Sequence, residues 1–196
     1  MEIIDISREL LNAPVYPGDP APQVEAVSRI AYGDACNLSS LHACLHNGTH
    51  VDAPRHFVEG GADAASIPLQ ACVGECSVVE FSGVLLGEQA EKLLPYIKPR
   101  LLLKGEALIS PSAAFVLSDA DLLLLGVEGT SVSPPECTAA VHRQLLGSGM
   151  VLLEGLDLTR AEEDTYFLFA PPLKVEGADG TPVRALLLRR YSLELF

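Results

Sequence analysis

Residues 45–57 read LHNGTHVDAPRHF and bring His46, His50, Asp52 and His56 within eleven positions. Gly48, Pro54 and the β-branched Thr49 and Val51 all oppose a helix, so the run is expected to turn at Asn47-Gly48 and then extend. Side chains two apart in an extended segment share a face. This puts His50, Asp52 and His56 on one side, and His46, before the turn, can fold back toward them. Two imidazoles and a carboxylate suit zinc or another divalent transition ion and leave a coordination position open for water. Such a half-open site is catalytic. Taken singly, the same residues have plainer explanations, a satisfied core histidine or an aspartate capping a turn. Four of them at matched spacing favour the metal. His42, in the alternating run NLSSLHACLH, is read as pocket lining or core, and Cys44 as lining the site.

Outward from this run, strands are expected over residues 2–6, 24–30, 38–45, 77–81, 100–104, 122–127 and 150–153, with another in the final ALLLRRYSLELF. Helices are expected over residues 87–94 and 136–146, the second opened by prolines as a helix start favours. That second stretch, ECTAAVHRQLLGSG, carries His142 and ends in glycines, and Glu154 follows the apolar run MVLL at a strand end. Each has a structural alternative: a surface helix residue for His142, a cationic partner for Glu154. No repeat or low-complexity linker divides the chain, and the Pro/Gly-rich residues 14–22 and 171–182 read as loops within one domain, 1–196. The order of elements fits an α/β domain.

Composition narrows the function. The chain is 48% apolar, which a disordered chain is not. A net charge of -13, with no basic cluster larger than Arg189-Arg190, opposes nucleic-acid binding and leaves a small molecule as the expected partner. No apolar stretch reaches the roughly 20 residues of a membrane span, and MEIIDISREL carries no secretion signal, so a cytoplasmic location is expected. There is no phosphate-cradling G-x-x-x-x-G-K-[ST], no G-x-G-x-x-G after a strand and no G-x-S-x-G elbow. The five cysteines form no C-x-x-C pair and are read mostly as small buried residues. Cys72 and Cys76, at C-x3-C spacing, lack the second pair that a zinc site needs.

HNGTHVDAPRHF resembles the H-x-G-T-H-x-D-x-P-x-H signature of the metal-dependent cyclase-like hydrolases, the family of the bacterial kynurenine formamidases. The likeness extends to VYPGDP, HFVEGGADAASIPL, GVEGTSV, MVLLEGLDL and PLKVEGADGTPVRALLL, nearly the whole chain. It implies a layered β/β/α swivelling-type α/β fold, assembled as a homodimer or larger homo-oligomer in which a neighbouring subunit can help wall the pocket. It also implies one or two ions, zinc or manganese. His46, His50 and Asp52 would hold one, Asp52, His142 and Glu154 the other, and His56 would stay off the metal as base and acid. The implied activity is hydrolysis of a non-peptide amide, foremost N-formylkynurenine to kynurenine and formate in tryptophan catabolism. Opening of a cyclic amide such as isatin, a cyclase or dehydratase reaction, and a binding module without turnover stand as alternatives. The chain has no Trp, so Phe57, Tyr16, Tyr32 and Phe169 are the expected aromatic wall, and Arg55 and Arg184 are each open between a substrate carboxylate and a surface ion pair.

Overall fold

The runs RLLLK, LLGV and VLLE become parallel neighbours, because a strand covered on both faces needs no polar alternate. The computed structural model describes residues 1–189. Its strands and helices are β1 (Glu2–Asp5), β2 (Gln23–Ser28), β3 (Leu38–His42), β4 (His50–Asp52), α1 (Leu69–Cys72), β5 (Val73–Glu80), β6 (Gly83–Leu85), α2 (Gly87–Leu93), β7 (Arg100–Lys104), β8 (Ala107–Ile109), α3 (Pro111–Ser118), β9 (Leu124–Val127), α4 (Thr138–Gly147), β10 (Val151–Glu154), β11 (Asp164–Phe169), β12 (Gly180–Pro182) and β13 (Leu186–Arg189). A nine-stranded sheet runs β1-β13-β11-β5-β7-β9-β10-β4-β12. Its centre, β5-β7-β9-β10, is parallel, and both flanks are antiparallel. Two small pairs, antiparallel β2-β3 and parallel β6-β8, stand apart from it.

The topology requires the sheet to curl. Strand β12 is its last strand at one end, yet residues 183–185 alone connect it to β13, second from the other end. Three residues span only about 10 Å, so the two ends must approach each other. Ser7, just past β1, bridges Leu156, just past β10, and the Ile6 N–H donates to the Ala185 carbonyl at 3.0 Å.

Alternation in the central strands then fills two cores. Leu102, Leu124, Val151 and Leu153 face the hollow of the curl with Ile4, Val51, Tyr166 and Leu187. Leu101, Leu103, Leu125, Val127 and Leu152 face the opposite side with Ala90 of α2, Ala113 and Leu117 of α3, and Val141 and Leu145 of α4. The result is the expected α/β architecture, helices layered on a sheet that folds over itself.

The expected strands and helices in the first 189 residues are present, with shifted ends. Strand β3 stops at His42 because the Asn47 Oδ1 accepts from the Cys44 N–H at 2.8 Å and starts the turn early. Helix α2 ends at Leu93, where Pro95 tightens the chain into a 3-10 turn. Helix α3 was not expected, although Ser110 and Pro111 are start signals: the Ser110 Oγ accepts from the Ala113 N–H at 3.1 Å. Strand β11, DTYFLF, and the short β6, β8 and β12 were also not among the expected strands, whereas β4 falls in the segment expected to extend after the Asn47-Gly48 turn. The terminal strand begins as β13, and the rest of that expectation lies outside the described residues.

Candidate functional site

The motif is fastened at both ends before its side chains do anything. Gly48 takes φ 66°, the left-handed conformation a turn at Asn47-Gly48 needs. Thr49 then locks the turn to the strand carrying Glu154: its Oγ1 donates to the Gly155 carbonyl at 2.6 Å and accepts from the Arg8 N–H at 2.8 Å. A Cβ at Gly155 would stand 2.3 Å from the Gly48 carbonyl oxygen, so that residue must be glycine for the two segments to meet. Strand β4 is inserted between β10 and β12, in register Asp52 with Leu152 and His50 with Glu154. After Pro54 the chain turns in a 3-10 helix, Pro54–His56, packed against α4.

Asp52 is the centre. Its Oδ1 lies 2.8 Å from His46 Nδ1 and 3.4 Å from His50 Nε2; its Oδ2 is 3.8 Å from His142 Nε2. Glu154 faces it across the cleft, with Oε2 3.5 Å from His50 Nε2 and Oε1 3.3 Å from His142 Nε2. Two histidine rings are oriented by backbone carbonyls. His50 Nδ1 donates to the Gly48 carbonyl at 3.0 Å and His142 Nδ1 to the Thr138 carbonyl at 2.8 Å, one helical turn back. Each therefore turns Nε2 toward the carboxylates, the arrangement that fixes a metal-binding tautomer.

This set fits a cation. Asp52 is 1% exposed and its Oδ2 has no hydrogen-bond partner, a costly state for a carboxylate oxygen unless a positive ion meets it. Two groups bring candidate ligand atoms within 4.8 Å of one another: His46, Asp52 and His56, and His50, Asp52 and Glu154. Asp52 belongs to both. His50 thus lies on the Glu154 side of the cluster, and His56 on the His46 side, where its ring stacks on His46 at 4.1 Å.

The charges reinforce one another. Burial alone would discharge these groups, but the neighbouring carboxylates win: His50 is raised to about 10 by Asp52 and Glu154, and His46 and His142 are raised by Asp52 and Glu154 respectively. Asp52 is held well below the usual carboxylate range by His46 and His50 against the opposing effect of burial. His56 goes the other way. Burial lowers its pKa, and the His46 and His142 imidazoles work with burial against the raising effect of Asp52 and Asp179.

One site residue has no counterpart in the sequence-based expectations. Asp179, in the loop before β12, places Oδ2 3.3 Å from His46 Nε2 and 3.4 Å from His56 Nδ1. Its backbone carbonyl accepts from the Ala53 N–H at 2.9 Å, which pins the loop beside the motif. The available signal was its position one residue before Gly180, whose lack of a side chain admits His46: a Cβ there would meet His46 Cε1 at 2.6 Å. A lone Asp in a glycine-rich loop otherwise reads as a turn residue.

The cleft, about 320 Å³, is lined by the histidines and Glu154 together with Tyr16, Cys44, Phe57, Thr130, Ser131 and Thr138. Cys44 lines it as expected. Tyr32 and Phe169 do not: Tyr32 is 80% exposed on a distal turn and Phe169 lies on β11 far along the sheet. His42 is corrected as well. It sits at the end of an exposed strand, 3.7 Å from Glu25, neither in the core nor in the pocket. Of the cysteines only Cys72 and Cys76 are buried, and burial pushes their thiols up to about 11 and about 12, which opposes thiolate ligation. Arg184 pairs with Asp5 on the surface. No helix among the described residues is long and apolar enough to cross a membrane.

The family model described as "Putative cyclase" matches residues 4–157. A kynurenine formamidase from Salinibacter ruber (strain DSM 13855 / M31) is 36% identical over 95% of this chain and 97% of its own. A solved structure of a potential metal-dependent hydrolase with cyclase activity is 27% identical, covers 97% of this chain and 99% of its own, and superposes with a TM-score of 0.85. Isatin hydrolase A from Labrenzia aggregata, at 21% identity, covers 95% of this chain and 93% of its own and shares the fold with a TM-score of 0.81. The motif on β4, its partners on α4 and β10, and a match that runs through most of the chain make this protein a member of the cyclase family of metal-dependent hydrolases.

Proposed function

We propose that this protein hydrolyses a non-peptide amide bond with the help of a bound divalent metal, and that its substrate is N-formylkynurenine, cleaved by water to kynurenine and formate. The observation that carries the reading is the Asp52-centred cluster, in which buried imidazoles surround a carboxylate whose Oδ2 no hydrogen bond satisfies. Support for the substrate comes from the kynurenine formamidase that aligns along nearly the whole chain. His46, His50 and Asp52 are assigned to one ion and Asp52, His142 and Glu154 to a second, zinc or manganese. When bound, such an ion polarises the amide carbonyl and lowers the pKa of water from about 15.7 to about 7.

The remaining work falls to the chain. His56 is the proton shuttle: it accepts a proton from the attacking water, and it returns one to the amide nitrogen as the carbon–nitrogen bond breaks and formate departs. Two features support this role. Burial lowers its pKa, which favours the neutral imidazole whose free nitrogen can take a proton. Its Nδ1 faces Asp179, which leaves Nε2 for the proton. Phe57, edge-on to His56 at 4.4 Å, and Tyr16 offer apolar surface to an aryl group. The same reading makes the protein a cytoplasmic homo-oligomer.

The test is release of kynurenine from N-formylkynurenine by zinc- and manganese-loaded protein, with isatin alongside. Replacing His56 with Ala is expected to cost about 10²–10⁴-fold in kcat while the metal content stays. A variant that loses its metal would instead make His56 a ligand. Loaded protein that opens isatin and leaves N-formylkynurenine intact would move the substrate to cyclic amides.

A further inference from the structure

Beside the cleft lies a second cavity of about 610 Å³, and His56 and Phe57 form a wall common to both. Its other charged lining residues are Arg55, Glu59 and Arg143. Arg55 precedes His56 in the 3-10 turn, and Arg143 follows His142 in α4. Successive residues on a helical turn point in different directions, so each arginine faces outward from a site histidine that faces in.

What sets these two arginines apart is that they line one cavity together; Arg160 and Lys174 also lack an ion pair or side-chain hydrogen bond with any described residue. Lys92, Lys98, Lys104, Arg184 and Arg189 pair with carboxylates, and Arg8 and Arg100 donate to backbone carbonyls. Arg55 and Arg143 make no ion pair or side-chain hydrogen bond with any described residue. Arg55 does act at longer range on Asp63, but the Asp63 oxygens are already taken by the Gly177 N–H and by Ser66. In a chain of net charge -13, two unpaired guanidiniums on one cavity form a local anion-attracting field. Guanidiniums bind carboxylates in a paired fork geometry.

We infer that this cavity is a subsite for an α-amino-acid arm of the substrate, whose carboxylate is taken by Arg55 and Arg143 and whose ammonium group is taken by Glu59, while the amide reaches the metal cluster past His56 and Phe57. The inference rests on the hydrolase reading above and assigns to it a specificity that the metal cluster cannot supply. An ion and a proton shuttle act on any reachable amide; the arginines select those carrying an anionic arm.

The experiment compares wild-type protein with Arg55→Gln/Arg143→Gln on N-formylkynurenine and on 2'-formamidoacetophenone, which keeps the aryl formamide and lacks the arm. Calorimetric binding of L-kynurenine and of 2'-aminoacetophenone to the metal-loaded proteins runs in parallel. The variant is expected to lower the ratio of kcat/KM for the armed over the armless substrate at least tenfold, and to weaken L-kynurenine binding at least tenfold. Arg55→Lys/Arg143→Lys, which keeps the charge and loses the fork, should recover part of that loss. Equal losses on both substrates, or unchanged L-kynurenine affinity, would overturn the subsite. Wild-type protein that hydrolyses neither formamide but binds L-kynurenine through the arginines would sink the formamidase reading and leave the subsite standing.

Discussion

A single carboxylate, Asp52, is common to both groups of candidate ligands. Because it stands in both candidate ligand groups, Asp52→Ala is expected to empty the site completely, as read by metal analysis after dialysis; retention of one equivalent would end the shared-ligand assignment. Metal removal has a pH signature. Without the ion, His50 holds its proton up to about 10, and His46 and His142 are also raised, against about 6.5 in an unfolded chain. A pKa raised on folding stabilises fully below the unfolded value, and that stability is lost as pH rises through the folded one. The Tm of metal-free protein should therefore fall between about pH 6.5 and 10, and zinc added at pH 8 should release protons; a Tm that rises over this range would contradict the protonated cluster. Asp179→Asn tests the residue that orients His56: kcat should drop about 10- to 100-fold, the usual cost of losing such a partner, with KM little changed, and the His56 ring nitrogen shifts in NMR should report a changed tautomer. The convergence of His46, His50, Asp52 and His56 was legible because they share one short, helix-hostile run. Asp179 was not, since nothing within its own loop points to residues over a hundred positions earlier.

At the level of elements, the site depends on how closely β12 approaches β4. Gly180 lies opposite Asp52 in the ladder, and an added Cβ would also meet the Val51 carbonyl oxygen at 2.8 Å. Gly180→Ala should destabilise the fold by about 1–3 kcal/mol in urea unfolding and weaken metal binding, because the first atom displaced belongs to His46. An unchanged metal affinity would show that β12 can slide without disturbing the cluster. The central strands were legible from their unbroken apolar runs, and α4 from its prolines and glycines. Arg100 shows what such patterns miss. It begins β7, yet its guanidinium turns back to donate to the carbonyls of Gln70, Ala71, Val73 and Glu75, tying α1 to β5. Gly74, at φ 145°, leaves the room it occupies. Nothing local in PRLLLK announces a partner thirty residues upstream, and β4 and β12, three residues each, are too short for any periodicity to register.

The sheet as a whole closes on itself, but the β2–β3 hairpin remains outside that closure. Val24, Val27, Leu38 and Leu41 are each more than half exposed, Val24 faces Leu41 in register, and Ile30 and Tyr32 extend the apolar surface at the turn. A two-stranded hairpin with no third strand or covering helix is marginal in water, and an apolar surface of this kind marks an interface. The homo-oligomer proposed above would place a second copy of the chain over it. Strands were legible over residues 24–30 and 38–45, but nothing in their sequence says what, if anything, covers them. Light scattering on a sizing column should therefore give a dimer or larger for the wild type, and Val24→Glu/Leu41→Glu should shift it to monomer, because each protomer would bury two unpaired carboxylates there. The wild-type Tm should also fall as the protein is diluted, and that of the variant, as a monomer, should not. If the glutamates leave the oligomer intact, the hairpin is not what the second copy covers. In that case the hairpin's stability would have to come from its own cross-strand pairs, and Leu41→Glu alone should unfold it, visible as accelerated amide exchange confined to residues 23–42.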